Sequence, residues 1–384
     1  MSRVEPREMS RRRFLSACVA GGCALPLATV TSCRAGPPNV AYGGVFYEKE
    51  ARHWEAGKNK RVTCQLCPRK CIVPAGRRGV CGVRENRDGT YHTLVWGNPC
   101  ALNVDPIEKK PLFHVLPGER AFSIGTAGCN MRCKFCQNWS ISQVKPERTR
   151  NYNLPPEKIV RLAQRHDCKA VAFTYNEPTV FYEYMYDTAK LAKEKGLKPV
   201  VVSNGYMNPE PMKALCEVVS AIKIDLKAFR NAFYRTLTGG QLRPVLDTLR
   251  LLKKQEMWFE IVNLIIPTKN DEEDDLKAMC AWIRRELGAG VPLHFSAFHP
   301  TYRLRNLPRT PKATLFDAYD IARGAGLQYV YIGNVYPVGH KGEKTLCPNC
   351  SKVVIERKGY RVTTLKVNDG KCAFCGAPIP GVWA

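Results

Sequence analysis

Three cysteines, Cys129, Cys133 and Cys136, stand close together in the chain, directly after the apolar run at residues 121–124. Thiolate sulfur is a soft ligand that suits iron–sulfur clusters, and three thiolates can hold three irons of a cubane cluster. The remaining iron would then have no protein ligand and could bind and activate a substrate. Zinc is the alternative metal, but zinc sites usually use paired C-x2-C units. The C-x3-C-x2-C spacing therefore predicts an iron–sulfur cluster with one open iron.

A second group of cysteines lies nearer the start of the chain. Cys64, Cys67, Cys71 and Cys81 have C-x2-C-x3-C-x9-C spacing. Four thiols are enough for one complete site, and both zinc and an auxiliary iron–sulfur cluster fit this spacing. Disulfide bonds are the alternative if the protein is exported to an oxidising compartment. The spacing predicts a metal site and leaves the identity of the metal open.

A third group closes the chain as two C-x2-C units, Cys347 with Cys350 and Cys372 with Cys375. Paired units around a β-rich stretch, here residues 352–367, are typical of a zinc ribbon. Because most ribbons stabilise structure, this pattern predicts a zinc-ribbon-like module and says little about activity.

The sequence around the first cysteine group resembles a known family. The C-x3-C-x-Phe-C motif, with Phe135 as the aromatic residue, resembles the signature of the radical S-adenosylmethionine (SAM) superfamily. Residues 128–139 resemble the branch that contains the pyruvate formate-lyase activating enzymes. The N-terminal cysteine group, the stretch at 105–118 and the ending at 375–383 resemble the radical SAM enzyme of the AmmeMemoRadiSam system. The resemblance covers about residues 60–384.

This resemblance implies an enzyme that uses a [4Fe–4S] cluster and SAM. A reduced cluster held by the three cysteines would pass one electron to SAM bound at the open iron. The sulfonium C–S bond would break, giving methionine and a 5′-deoxyadenosyl radical that abstracts hydrogen from a substrate. The resemblance also implies a reductant such as flavodoxin or ferredoxin. The substrate stays unknown, although the activating-enzyme branch permits a protein target and glycyl-radical-type activation.

The elements that must position these residues are predicted between residues 119 and 338, where apolar runs alternate with helical patterns. Repeated strand–helix units predict an α/β fold with a parallel sheet, here a partial (β/α)6 TIM-like barrel. Such barrels place their chemistry at the C-terminal ends of the strands. The predicted strands are residues 121–126, 170–174, 199–203, 221–225, 259–266, 293–298 and 329–332.

Polar residues follow these predicted strands at the end where a barrel would bring them together. The family resemblance implies that residues after the second strand bind the amino group of SAM. It also implies an acidic–basic pair at the fourth strand. A carboxylate suits an ammonium group or ribose hydroxyls, and a lysine suits a carboxylate. The candidate cofactor-binding residues are Phe135, Asn176, Glu177, Ser203, Asn204, Asp225 and Lys227.

The same patterns divide the chain into five regions. They are a twin-arginine-type signal segment at 1–33, a linker at 34–60, a Cys-rich N-terminal region at 61–118, a radical SAM partial barrel at 119–338 and a zinc-ribbon-like module at 339–384.

The first region predicts targeting to a membrane or across it. Residues 10–15 match the twin-arginine pattern and precede a mildly apolar stretch, and Cys33 resembles the lipidated residue of a lipoprotein processing site. Export of a folded, cofactor-loaded protein fits an iron–sulfur enzyme. The need for SAM, which is made in the cytoplasm, argues for a cytoplasmic location. The sequence therefore leaves the localisation open between export or lipid anchoring and the cytoplasm.

The formal net charge is +25, which predicts attraction to anionic partners. One alternative function is thus a basic zinc or iron–sulfur protein that binds nucleic acid. Nucleic acid is not favoured, because the basic residues are spread through the chain rather than concentrated in the ribbon. The second alternative is an exported iron–sulfur electron carrier, whose cluster would not cleave SAM.

Overall fold

The computed structural model describes residues 42–336 and 341–384, with side chains described from residue 44 onward. The predicted signal segment and the predicted lipid anchor at Cys33 lie outside the described residues, so both stay predictions. Within the described ranges, no helix combines the length and the apolar character that crossing a bilayer requires.

The N-terminal region is built from short antiparallel strands. They are β1 (Tyr42–Gly43), β2 (Lys49–Glu50), β3 (Trp54–Ala56), β4 (Val62–Cys64), β5 (Ile72–Val73), β6 (Arg84–Arg87) and β7 (Thr90–Thr93). One sheet has the order β2-β7-β6 and another has the order β3-β4-β5. Three of these strands, β1 to β3, lie in the stretch predicted as a linker. β2 pairs with β7 and β3 pairs with β4, so the stretch from residue 49 onward belongs to the folded N-terminal region, whereas β1 pairs with a strand that follows the cysteine loop.

One large sheet forms the centre of the protein. The strands that follow are β8 (Ala101–Pro106), β9 (Arg120–Gly125), β10 (Asn151–Tyr152), β11 (Ala170–Phe173), β12 (Lys198–Ser203), β13 (Ala221–Asp225), β14 (Phe259–Ile265), β15 (Leu293–Ala297) and β16 (Val330–Gly333). β10 pairs with β1, and the other eight have the order β16-β15-β14-β13-β12-β11-β9-β8. Neighbours from β9 to β16 are parallel, whereas β8 is antiparallel to β9. All seven predicted strands are confirmed, and the sheet is an open, partial barrel.

Helices connect most of the parallel strands. They are α1 (Trp139–Ser142), α2 (Pro156–Arg165), α3 (Tyr182–Glu194), α4 (Pro209–Val218), α5 (Asn231–Phe233), α6 (Leu242–Lys254), α7 (Glu273–Glu286) and α8 (Lys312–Gly324). A π-helical turn, Tyr234–Thr238, follows α5 directly. Acidic residues in the first turn of α7 and arginines in its last turn complement the helix dipole.

The two faces of the sheet pack differently, because successive residues of a strand point to opposite sides. On β9, Phe122 and Ile124 belong to the main core, which includes apolar residues of the helices. Ala121 belongs to a second cluster with alanines and a valine of the neighbouring parallel strands, and this cluster contacts apolar residues between 107 and 116. The side chains of this second face are small at the N-terminal ends of the strands, where the segment 107–116 covers them.

The C-terminal module consists of β17 (Lys344–Leu346), β18 (Val353–Lys358), β19 (Arg361–Leu365), β20 (Val367–Asn368) and β21 (Lys371–Cys372). It contacts the segment just before β9. Val115 forms an isolated parallel bridge with Val382, and the buried guanidinium of Arg357 donates a 2.6 Å hydrogen bond to the carbonyl oxygen of Phe113. The module therefore shares a buried polar contact with the barrel.

His114 lies at the centre of this contact. Its Nδ1 atom is 2.7 Å from the carbonyl oxygen of Pro380, and its Nε2 atom is 2.7 Å from the hydroxyl of Tyr331. A neutral ring with its proton on Nδ1 donates to the carbonyl and accepts from the hydroxyl. Burial lowers the pKa of His114 to about 4, although Glu260 acts in the opposite direction. The neutral ring is thus part of the folded structure.

We expect His114 to make the fold less stable in mild acid. Between pH 6.5 and pH 4 the unfolded chain binds a proton at this residue and the folded chain does not, so stability falls by up to about 3 kcal/mol as pH is lowered. The measurement is the free energy of unfolding by denaturant from pH 7.5 to pH 5. His114→Gln should reduce the pH slope relative to the wild type, and an unchanged slope would contradict the assignment.

Candidate active site

The loop with the three cysteines, residues 127–136, follows β9 and is held by Asn176, which lies beyond the end of β11. The Asn176 side-chain oxygen accepts a 3.0 Å hydrogen bond from the backbone N–H of Thr126. Its amide nitrogen donates to the carbonyl oxygens of Ala127 at 3.3 Å and Gly128 at 2.8 Å. One side chain therefore fixes the start of the cysteine loop without using any cysteine sulfur.

The middle of the loop is fixed from β12. The side chain of Asn204 donates a 2.9 Å hydrogen bond to the side-chain oxygen of Asn130, whose own amide donates to the carbonyl oxygen of Tyr206 at 2.8 Å. The backbone N–H groups of Arg132 and Lys134 donate to carbonyl oxygens of the π-helical turn, Tyr234–Thr238. These contacts leave the three thiols free to bind a metal cluster.

Burial raises the pKa of all three thiols, to about 11 for Cys133. The positive charge of Lys227 opposes this effect at Cys133 and Cys136, whereas Glu177 adds to it at Cys129. Metal binding must therefore release protons here. Without a metal the three thiols are protonated, and they become thiolates when a cluster binds. The nearby positive charge of Lys227 stabilises such thiolates, so the site suits a cluster with thiolate ligands.

Glu177 organises the ends of two strands. Its Oε1 atom accepts hydrogen bonds from the backbone N–H of Thr179 at 3.0 Å, from the Thr179 hydroxyl at 2.7 Å and from the Ser203 hydroxyl at 2.7 Å. Its Oε2 atom accepts a 2.7 Å bond from the backbone N–H of Asn204. Burial raises the pKa of Glu177, while these four donors favour the charged form. The carboxylate thus links β11 to β12 beside the cysteine loop.

Asp225, the last residue of β13, lies between two lysines. It accepts a 2.9 Å hydrogen bond from Lys227 and another from Lys223. Burial disfavours its charge, but attraction to Lys223 and Lys227 outweighs burial and lowers the pKa of Asp225 to about 2. The same attraction overcomes burial at Lys227 and raises its pKa. Asp225 and Lys227 are therefore both charged at neutral pH.

Phe135 is buried between the second and third cysteines. Its ring centroid is 5.7 Å from that of Phe233 and 5.9 Å from the ammonium nitrogen of Lys227. The aromatic residue therefore connects the cysteine loop to the lysine that follows β13. With this contact, all seven candidate cofactor-binding residues lie at the C-terminal ends of β11 to β13 or on the cysteine loop.

Sequence reasoning missed Asn130, Lys223 and Tyr175 as members of this site. Asn130 lies inside the C-x3-C spacing, and Lys223 is two residues before Asp225, so both lie on the same face of the strand. That alternation was a usable signal for Lys223. Tyr175 has an unfavourable backbone φ of 70° and donates a 2.7 Å hydrogen bond to Asp105 on β8. No sequence pattern indicates that contact, because it joins strands at an antiparallel edge.

The four cysteines of the C-terminal module form a compact set. Their ligand atoms all lie within 4.8 Å of one another. The sulfur of Cys347 is 3.6 Å from that of Cys375, and the sulfur of Cys350 is 3.8 Å from that of Cys372. Among the described residues, this is the one group of three or more histidine, cysteine or acidic side chains assembled at this spacing.

The chain is similar to several known proteins. A model of the radical SAM superfamily matches residues 123–280. An uncharacterized protein of Methanocaldococcus jannaschii is 45% identical over 333 residues, which is 86% of this chain and 98% of that protein. The pyruvate formate-lyase-activating enzyme of Listeria monocytogenes is 25% identical over 176 residues, 44% of this chain and 71% of that protein. A radical SAM methyltransferase structure from Sphaerobacter thermophilus aligns with a TM-score of 0.46 and 16% identity over 59% of this chain and 69% of that chain.

Proposed function

Because the chain belongs to the radical SAM superfamily, we propose that Cys129, Cys133 and Cys136 hold a [4Fe–4S] cluster beside a site for SAM. When bound, these groups supply one-electron cleavage of SAM to methionine and a 5′-deoxyadenosyl radical, which takes hydrogen from the substrate. The carrying observation is that three thiols share one loop whose backbone is held by residues of β11 and β12. The alternatives of a nucleic-acid-binding protein and a simple electron carrier are not favoured.

Different side chains have different tasks in this proposal. Asn176 and Asn204 position the loop, since their polar groups are used by its backbone and by Asn130. Lys227 is the group suited to hold the carboxylate of SAM, because its charge persists in a buried site next to the cysteines. Asp225 keeps Lys227 in place and balances its charge.

Glu177 and Ser203 affect the SAM site indirectly, by fixing the ends of the strands that carry it. Each already has hydrogen-bond partners within the protein, so we propose that they shape the SAM site through Asn204 rather than by binding SAM alone. Phe135 excludes water from the second and third cysteines, because it is buried against Phe233. Exclusion of water strengthens the electrostatic contacts of a bound cofactor.

The substrate class is also a proposal. Similarity to pyruvate formate-lyase-activating enzymes supports activation of a protein by removal of one hydrogen atom. The cysteine groups at both ends of the chain support the AmmeMemoRadiSam branch. The test is anaerobic incubation of the reduced holoenzyme with SAM, with 5′-deoxyadenosine measured by chromatography. Formation of 5′-deoxyadenosine only with a reductant supports the proposal, and its absence in iron-loaded protein contradicts it.

We propose that the C-terminal module is a zinc ribbon held by Cys347, Cys350, Cys372 and Cys375. Tetrahedral zinc with bonds of about 2.3 Å requires sulfurs about 3.8 Å apart. Two of the separations, 3.6 Å and 3.8 Å, fit that value, and all four sulfurs lie within 4.8 Å of one another. The module is far along the chain from the cysteine loop and contacts the segment 113–115, so its role is to stabilise the barrel.

Cys350→Ser should therefore remove about one zinc per chain and leave the iron content unchanged. Structural zinc contributes directly to folding, so we expect a loss of at least about 2 kcal/mol of stability. The measurements are elemental analysis and denaturant unfolding. Ser351→Ala, next to it in the chain, is the control and should keep the zinc. Retention of zinc in Cys350→Ser would contradict the ribbon.

A further inference from the structure

The two outer groups of cysteines differ in geometry. The C-terminal four are placed to hold one metal ion, and among the described residues Cys64, Cys67, Cys71 and Cys81 do not form such a group. All four are free thiols, so the disulfide alternative does not describe them. They nevertheless share one neighbourhood, because each of Cys64, Cys67 and Cys81 interacts electrostatically with Cys71.

This arrangement suits a cubane rather than a single ion. One zinc ion requires all its sulfurs about 3.8 Å apart. A cubane binds each thiolate at a different iron, so its four sulfurs stand farther apart around a larger body. Cys64, Cys67, Cys71 and Cys81 thus lack the compact single-ion arrangement of the C-terminal module, and a cubane does not require that arrangement.

The buried guanidinium of Arg84 supports an anionic group bound by these four cysteines. Arg84 is 1% exposed and bonds to Glu183 at 3.0 Å, yet its Nε and Nη1 atoms have no hydrogen-bond partner among the described residues. The charge of Arg84 acts on both Cys64 and Cys81, so this cation belongs to the surroundings of the four cysteines. Unsatisfied buried donors cost stability unless an acceptor is bound. Thiolates and inorganic sulfides would provide such acceptors.

The N-terminal four lie directly against the cysteine loop of the barrel. Gly128 has a φ of +89°, and a Cβ atom there would be 2.7 Å from the carbonyl oxygen of Cys81. Only one residue step separates Gly128 from Cys129, and consecutive Cα atoms are about 3.8 Å apart. Arg69, two residues after Cys67, donates a hydrogen bond to the carbonyl oxygen of Asn130. Two metal groups would therefore be neighbours.

The surface beside Cys71 and Cys81 is mainly basic and also carries two exposed apolar side chains. Val80, next to Cys81, is 44% exposed, and Ile72, next to Cys71, is 66% exposed. Two surface cavities meet at Val80, which lines each of them. Among the described residues, Glu85 is the one acidic residue that lines either cavity. The basic residues that line the two cavities are Arg69, Arg77, Arg78, Arg132, Lys145 and Arg235. We call these six residues and Val80 the arginine face.

We propose that Cys64, Cys67, Cys71 and Cys81 hold a second cubane iron–sulfur cluster, which accepts electrons from an acidic one-electron carrier protein docked on the arginine face. This inference rests on the proposed function, which consumes one electron at the cysteine loop. The carrier is oxidised by one electron and the outer cluster is reduced by one electron, which then passes to the loop. No bond forms or breaks in this transfer. Charge complementarity would speed the encounter, and the small apolar contact would allow release.

Metal analysis tests the cluster. The anaerobically purified wild type should contain about eight irons and about one zinc per chain, with Mössbauer signals of two cubanes. Cys67→Ala should lose about four irons and keep its zinc, whereas Cys133→Ala should lose the other four. A wild type with about four irons and two zincs, or loss of zinc from Cys67→Ala, would overturn the inference. The wild-type measurement decides the question even if Cys67→Ala does not fold.

The same data separate this inference from the proposed function. Eight irons without SAM cleavage would contradict the proposed function alone. Four irons that are lost in Cys133→Ala, with SAM cleavage intact in the wild type, would contradict only the second cluster.

Docking is tested with reduced flavodoxin as the electron donor in anaerobic stopped-flow measurements. Arg77→Glu combined with Arg235→Glu should slow cluster reduction about tenfold or more at low salt and weaken its dependence on ionic strength. Reduction by dithionite, a small anion that needs no docking face, should change much less. Arg161→Glu, an exposed position on α2, is the matched control. Equal rates with flavodoxin in the double variant and the control would overturn the docking face.

Discussion

Cys133→Ala is expected to abolish reductive cleavage of SAM. Cys133 is buried, and its thiolate is one of three that the proposed cluster requires. Loss of a residue that merely supports a metal ligand already costs about 10–100-fold in metal affinity or activity. Removal of the ligand itself should therefore lower 5′-deoxyadenosine formation by at least about 100-fold. The measurement is the rate of 5′-deoxyadenosine formation per chain under saturating reductant.

The matched control is Cys280→Ala, which removes another buried thiol from helix α7. Burial is the one cause that raises the pKa of Cys280, and the residue lies in the main core. The variant should keep its iron and its SAM cleavage, with a loss of stability of about 1–2 kcal/mol from the smaller side chain. Full activity in Cys133→Ala, or equal loss of iron in both variants, would reject the cysteine loop as the cluster site.

The strands and the cysteine loop could be predicted from the sequence because their signals are local. Parallel strands buried on both faces read as continuous apolar runs, and the run at 170–174 became β11 nearly unchanged. Asn176 and Glu177 were found because polar residues after such a run lie at the reactive end of a barrel. Site residues that directly follow one strand can therefore be predicted from the sequence.

Contacts between distant segments carried no such signal. His114 lies in a stretch with no assigned role, yet its ring joins the barrel to residue 380 through two hydrogen bonds. Asp105 on the antiparallel edge strand holds Lys110 and the hydroxyl of Tyr175. Each contact depends on how two elements pack, and no spacing within either element encodes it. For the same reason, spacing alone could not separate zinc from a cluster at Cys64 to Cys81, whereas the placement of their sulfurs bears on that choice.

Glu177→Gln should lower SAM cleavage by about 100-fold, because a shift of about 1 Å at a positioning residue can have that effect. The glutamine can keep one acceptor oxygen for Thr179 and Ser203. Its amide would then present a donor to the backbone N–H of Asn204, where the carboxylate now accepts at 2.7 Å. The end of β12 must therefore move, and the side chain of Asn204 would no longer donate its hydrogen bond to Asn130 in the cysteine loop. Such a buried mismatch costs about 1–3 kcal/mol of stability.

A graded comparison distinguishes positioning from general damage to the fold. Thr179→Val removes the donor hydroxyl 2.7 Å from Oε1 but leaves the bond to Asn204 intact. It should cost a similar amount of stability, about 1–2 kcal/mol, with less than about a tenfold loss of activity. In Glu177→Gln the iron content should be retained while the spectral change that SAM causes in the reduced cluster weakens. Equal losses of activity in the two variants would mean that Glu177 only stabilises the fold, because the two substitutions differ chiefly in the contact to Asn204.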